Sequence, residues 1–333
     1  MWFFIFVKVT CPFSQRPVKL YKLVIKGVNM HIFKVLMVGF LIANFGAVST
    51  TIAEEEKTQI VLLGTGTPIT SPDRSGPSVA IVVGDTPYIV DFGPGIVRRG
   101  SAAKELGIEA LRSGNLKHAF ATHLHSDHTV GYPDLIFTTW VMGRNEPLKV
   151  FGPKGLEEMT KHILKAYEKD IDRRVNGLEP QVDQVWRVKA KDVNPGPIFE
   201  DENVKVEAIP VCHGDWDQSF GYKFITSDKT IVISGDTAYC PALEKAATGA
   251  DVLIHEVIDG EALKEREEDW QNYHNAFHTN GRDVGKLATK AGVKHLILYH
   301  QLWWGGSKEA IMDQVKSTFK GKVSFGNDLD IFN

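Results

Sequence analysis

The sequence predicts an α+β chain folded as a four-layer αββα sandwich, and three observations carry that reading. Strand-like apolar runs come as hairpins followed by helical stretches, and the pattern occurs twice along the chain. Single His or Asp residues follow several of those runs directly. The composition is that of an ordinary folded protein, with 43% hydrophobic and 24% charged residues among 333. No short-period repeat or low-complexity tract interrupts it.

The N-terminal 53 residues stand apart. From Met30 the chain runs through His31 and Lys34 into an apolar stretch, Val35 to Val48, then Thr51-Ile52-Ala53 ahead of Glu54-Glu55-Glu56. That is the layout of a cleaved secretory signal. The apolar run is short of the ~20 residues a membrane span needs, so no stable anchor is expected after cleavage. Residues 1–29 lack any acid and any periodicity, which makes Met30 the expected start of translation. Residues 54–333 are therefore read as one domain of an exported protein, periplasmic or secreted. Of 38 Lys and Arg, six lie in residues 1–53 with no Asp or Glu; 32 basic and 41 acidic residues remain, a formal net charge of −9. Such a domain lacks the broad basic surface that grips nucleic acid. Of the three Cys, Cys212 and Cys240 fall in this domain and read as small core residues rather than a disulfide framework.

Within the domain, Ile60–Leu63 reads as a buried strand closed by Gly64-Thr65-Gly66-Thr67-Pro68, a tight turn that lacks the third glycine of a nucleotide loop. Ser78–Val83 and Tyr88–Asp91 form a hairpin about Gly84-Asp85. A turn at Asp91-Phe92-Gly93-Pro94-Gly95 leads into a helix ending near Leu106. Strands follow at His118–Thr122 and Leu148–Phe151, with helices at Tyr132–Met142 and Lys154–Lys169. Asp170–Asp201 has the weakest pattern and is expected to be a surface insertion. The second half holds strands at Val204–Ile209, Gly221–Thr226, Thr230–Ser234, Val252–His255 and His295–Tyr299. Its helices are expected at Tyr239–Thr248, Arg282–Ala291 and Lys308–Phe319.

The strongest chemical signal is Thr122-His123-Leu124-His125-Ser126-Asp127-His128. At a strand end, positions i and i+2 share a side, so His123 and His125 can meet one cation while Asp127 and His128 face a second. Imidazole and carboxylate suit zinc, and manganese or iron can occupy the same donors. Two ions need more donors, and three stand where strands should end: His213 after Ala208–Cys212, Asp236 after Thr230–Ser234, and His300 after Leu296–Tyr299.

His-x-His-x-Asp-His followed by a later His, Asp and His resembles the metallo-β-lactamase superfamily over nearly all of residues 58–333. That resemblance implies that His123, His125 and His213 hold one zinc ion, that Asp127, His128 and His300 hold a second, and that Asp236 bridges them. Asp91 matches a buried structural acid of that superfamily. Two such ions about 3.5–4 Å apart imply a metal-bridged hydroxide attacking an ester, with Asp127 orienting it. The opening Gly64–Pro68, the pair His255-Glu256 and the later His278-Thr279 are similar to the ribonuclease Z and arylsulfatase branch. There His278 would act as general acid or oxyanion stabiliser, oriented by Glu256; His278-Thr279-Asn280 also reads as the start of a helix at Gly281, with Thr or Asn as cap. Trp303-Trp304 reads either as the wall of an aromatic substrate pocket or as a packed lid.

Members that process transfer RNA carry a Gly-rich basic arm, which Lys154–Asp201 does not match. The expected activity is thus a phosphodiesterase acting on a small exported ester, not on tRNA. An arylsulfatase is the alternative, followed by a lactonase or thioesterase and by a non-catalytic metal-binding protein. A homo-oligomer is compatible with the sequence.

Overall fold

The computed structural model describes residues 57–179 and 184–333. The signal segment, the Met30 start and Cys11 lie outside the described residues. Among the described residues, no helix is long and apolar enough to cross a membrane.

Among the described residues, fourteen strands run in chain order: β1 (Gln59–Gly64), β2 (Ser78–Val83), β3 (Thr86–Val90), β4 (His118–Phe120), β5 (Leu148–Gly152), β6 (Val188–Asp192), β7 (Gly196–Glu200), β8 (Lys205–Pro210), β9 (Phe220–Ile225), β10 (Thr230–Ile233), β11 (Val252–Ile258), β12 (His295–Leu302), β13 (Lys322–Phe325) and β14 (Ile331–Phe332). They form two seven-stranded sheets, ordered β14-β1-β2-β3-β4-β5-β6 and β13-β12-β11-β10-β9-β8-β7. Each sheet begins with antiparallel hairpins and continues in parallel, β3 to β6 in the first and β10 to β13 in the second. The helices are α1 (Ile96–Glu105), α2 (Ser126–Thr129), α3 (Tyr132–Val141), α4 (Leu156–Ala166), α5 (Glu168–Asn176), α6 (Pro241–Ala246), α7 (Gly260–Lys264), α8 (Glu268–Phe277), α9 (Gly281–Ala291) and α10 (Lys308–Thr318). Of these, α1, α3 and α4 pack on the outer face of the first sheet and α6, α9 and α10 on that of the second.

Strand alternation sorts most of the buried apolar residues into three large cores, with a small fourth cluster at Ile258, Leu263 and Leu302. In β1, Ile60 and Leu62 point between the sheets, whereas Val61 and Leu63 point at the helices. The middle core joins Ile81, Val90 and Phe120 of one sheet to Phe220, Tyr222 and Ile254 of the other. The outer cores seat Trp140 and Leu135 under the first sheet's helices, and Leu287 and Val315 under the second's. Strands covered on both faces read as unbroken apolar runs, which is why β1, β2 and β10 were legible.

Three expectations need correction. Asp170–Asp201 is not merely an insertion, because it supplies β6 and β7, the edge strands of the two sheets. Edge strands bury little, so β6 carries Lys189 and Lys191 and β7 tolerates Pro197. The last long strand does not stop before His300 but runs on to Leu302. Only Cys240 is a core residue; Cys212 is exposed, and both thiols are free.

Candidate metal centre

The predicted residues converge at one rim of the sandwich, where strands of both sheets end. His123 to His128 lie on the loop and short helix α2 that follow β4, and His213 follows β8. Asp236 leaves β10 through Gly235, whose φ of 61° brings the chain so close that a Cβ would sit 2.7 Å from the Phe220 carbonyl oxygen. His300 is the extra residue of a bulge, since Glu256 pairs with Tyr299 and Val257 with Gln301. Its φ of 43° turns the ring toward the site, as bulges next to active sites do. Five non-glycine residues have positive φ among the described residues, and three of them, Asp91, His300 and Trp304, stand in or beside this site. Such strain persists only where surrounding contacts enforce it.

Two half-sites share a centre. His123 Nε2 lies 2.9 Å and His213 Nε2 3.2 Å from His125 Nδ1. On the other side, Asp127 Oδ2 lies 3.2 Å from His300 Nε2 and 3.5 Å from His128 Nε2. Asp236 stands between them, with Oδ2 4.0 Å from His123 Nε2 and 3.4 Å from His128 Nε2, and Oδ1 3.5 Å from His300 Nδ1. His123 with His125 and His213, and Asp127 with His128 and His300, each bring their donor atoms within 4.8 Å of one another.

A second layer of contacts sets the histidine tautomers. Thr122 Oγ1 donates to Asp91 Oδ2 at 2.9 Å, so its oxygen accepts from His123 Nδ1 at 3.0 Å. His128 Nδ1 donates to Asp91 Oδ2 at 2.8 Å, and His213 Nδ1 donates to the Phe277 carbonyl at 3.0 Å. All three rings therefore turn Nε2 toward the site, where a bound cation would take its lone pair.

A divalent cation fits this donor set. Nitrogens about 2.0–2.1 Å from a tetrahedral ion stand about 3.4 Å apart, close to the spacing within the His123 group. His128 Nε2, His300 Nδ1 and Asp236 Oδ1 are buried without hydrogen-bond partners. Burial disfavours charge on Asp236, yet His300 and His128 outweigh it and hold its carboxyl well below the usual range. Burial pushes His213 down to about 4, leaving it neutral as a ligand must be.

Glu256 and His278 stand beside these groups. Glu256 is buried on β11 and accepts from the Thr279 backbone N–H at 2.7 Å. Its other oxygen is 3.4 Å from His278 Nδ1, wider than a well-formed hydrogen bond, so Glu256 fixes His278 chiefly through the neighbouring backbone. Burial, then the Asp236 charge, pushes the Glu256 carboxyl well above its ordinary range, and burial drops His278 to about 4. Asn280 does cap α9, accepting from Asp283 N, so the helix start and a site-facing His278 coexist.

A cavity of about 330 Å³ opens over the centre, with Ile69, Trp270, Tyr273, His274, His278 and Trp304 on its walls. Of the Trp pair, Trp304 faces this cavity, while Trp303 packs on Phe325 and beneath the Arg74 guanidinium. A wider groove of about 750 Å³ along α4, α5 and β6 contains none of these residues. Sequence reasoning missed α8, although Trp270, Tyr273, His274 and Phe277 repeat at the i, i+3, i+4, i+7 spacing of a helix face. It also missed Trp216, whose indole N–H donates to His125 Nε2 at 3.1 Å.

A model of the beta-lactamase superfamily domain matches residues 86–301. The chain is 31% identical over 280 residues to a ribonuclease Z of Mycobacterium bovis, covering 81% of this chain and 96% of that one. Among solved structures it is similar to the metallo-beta-lactamase fold protein YhfI from Bacillus subtilis, with a TM-score of 0.65, 16% identity and coverage of 83% and 99%. It is also similar to the short form of human tRNase Z, with a TM-score of 0.61, 20% identity and coverage of 83% and 98%. The chain therefore belongs to the beta-lactamase superfamily, among the relatives of ribonuclease Z, and is a metal-dependent hydrolase of ester bonds.

Proposed function

We propose that this chain is a dinuclear phosphodiesterase acting on a small ester, exported through its N-terminal segment. The observation that carries the reading is a pair of half-sites sharing Asp236, with nitrogen and oxygen donors left unpartnered at their centre. Identity near 30% to several ribonuclease Z proteins supports phosphodiester chemistry. Zinc is the expected ion, with manganese or iron as substitutes on the same donors.

His123, His125 and His213 would hold one ion, Asp127, His128 and His300 the other, and Asp236 both. Bound there, divalent ions supply Lewis acidity toward the phosphoryl oxygens and lower the pKa of water. Asp127 reaches the cavity and positions the attacking group through Oδ2, the oxygen it shares with His300. His278 turns Nδ1 toward Glu256 and Asp236; with the Glu256 carboxyl kept protonated by burial, Nδ1 is the accepting nitrogen and Nε2 carries the proton offered to the departing oxygen. Glu256 keeps that ring in place through Thr279. The small cavity and the net charge of −9 in residues 54–333 support a compact substrate over a polynucleotide.

The aromatic walls favour a second reading, hydrolysis of an aryl sulfate. A paired rate assay on the metal-loaded protein separates the two, comparing an aryl phosphodiester with an aryl sulfate and including His128→Ala. Faster phosphodiester cleavage, abolished in the variant, upholds the proposal; faster sulfate cleavage replaces it with the second reading.

A further inference from the structure

Beyond the metal centre, helix α8 carries a buried polar side chain without a partner. His274 is only 5% exposed, yet neither of its ring nitrogens has a hydrogen-bond partner. Buried polar atoms are almost always paired, so two orphans on one ring mark a place for a missing partner. The indole N–H of Trp304 is likewise buried and unpartnered. Trp304 holds a φ of 48°, with its carbonyl accepting from Arg266 Nη2 and the Arg266 guanidinium 5.2 Å above its ring.

These groups face one another across a single wall of the cavity. The His274 and Trp304 rings lie 4.6 Å apart, nearly edge to face, and Trp270 closes the corner 5.9 Å from each. Trp270 is 48% exposed, an aromatic surface offered to whatever enters. On the inner side, the His274 ring is 5.5 Å from that of His278. No other part of the proposed chemistry uses His274 or Trp304.

We propose that Trp270, Trp304 and His274 form a subsite for a planar aromatic ring that bears a hydrogen-bonding edge, carried on the ester whose acid group sits at the metal centre. Trp270 and Trp304 supply stacking surface, and His274 with the Trp304 N–H reads the polar edge. An aryl alcohol and a nucleobase share this chemistry. The inference rests on the phosphodiesterase reading only for the identity of the acid group.

The test uses metal-loaded protein and phosphonates, whose carbon–phosphorus bond does not turn over. Isothermal titration compares methylphosphonate, phenylphosphonate, (4-hydroxyphenyl)phosphonate and a nucleoside phosphonate. Stacking predicts that phenylphosphonate binds about tenfold more tightly than methylphosphonate. A hydrogen-bonding edge adds roughly threefold to tenfold. Trp304→Ala should reduce the phenyl-to-methyl ratio to about threefold or less, and Trp270→Ala, at an exposed position, reads the same ratio should Trp304→Ala not fold. His274→Phe keeps a ring in place, so it should retain the phenyl preference and lose the gain from the polar edge. The ratio between the nucleoside and hydroxyphenyl ligands tells which source of the ring fits. Equal binding of phenyl and methyl ligands, or a ratio unmoved by both Trp variants, overturns the proposal. A ring preference without any phosphodiester turnover upholds the subsite and removes the phosphodiesterase reading; turnover without ring preference does the reverse.

Discussion

Replacing Asp91 with Asn probes the support that sets the histidine tautomers. The carboxylate accepts three hydrogen bonds, from Thr122 N at 2.7 Å, Thr122 Oγ1 at 2.9 Å and His128 Nδ1 at 2.8 Å. A backbone φ of 60° suits Asn as well as Asp, so the main chain has no reason to move. An amide offers one acceptor oxygen. The Thr122 N–H cannot rotate away, so that oxygen stays on it and the amide NH₂ faces His128 Nδ1. His128 must then carry its proton on Nε2, the atom 3.4 Å from Asp236 Oδ2 and 3.5 Å from Asp127 Oδ2. Its lone pair no longer points at an ion. Partners of this kind are worth roughly 10- to 100-fold in metal affinity, which is about 1.4–2.7 kcal/mol. Elemental analysis after dialysis against graded chelator should show D91N losing the ion on the His128 side while wild type keeps both. The metal-free proteins should melt within about 2–4 °C of each other, the shift expected for about one hydrogen bond in a domain this large. Retention of both ions by D91N at wild-type affinity would refute the tautomer argument.

Three further outcomes follow from the same geometry. His278→Ala should lower kcat by about 10²–10³ with a smaller change in KM, because the ring acts on developing charge; steady-state kinetics on an aryl phosphodiester decide it. A His125 ring that ligates through Nδ1 carries its proton on Nε2 and can no longer accept the Trp216 N–H, so metal loading should change the indole fluorescence in wild type and lose that component in Trp216→Phe. Asp228 gives a pH-dependent effect away from the site. Burial alone would raise its pKa, but hydrogen bonds from Lys229, Thr58 and Thr226 hold it at about 2 against an ordinary 3.8. A depressed carboxyl stabilises the fold above its unfolded pKa, and that contribution fades as pH falls toward the folded value. Asp228→Asn should therefore cost about 1 kcal/mol at pH 7, and chemical denaturation should show the gap narrowing below about pH 4.

Much of this protein was determined by local sequence. Buried strands declared themselves because residues such as Ile60–Leu63 and Ser78–Val83 are covered on both faces and admit almost no polar side chain. The His-x-His-x-Asp-His run was legible because one loop must supply four donors at short range. The remaining donors, His213, Asp236 and His300, could be picked out only as polar residues close behind apolar runs. Tertiary structure decided the rest, for reasons of contact at long range. Edge strands β6 and β7 bury too little to show a pattern, and their place depends on neighbours in two different sheets. The bulge that aims His300 exists only in the pairing of β11 with β12. Asp91 joins Thr122 and His128 across more than 30 positions, and Glu256 meets Thr279 across 23. His274 and Trp304, 30 positions apart in the sequence, share a cavity wall because α8 and the chain after β12 fold over the same rim. A side chain's type is written in the sequence, but the partner that gives it a role is chosen by packing.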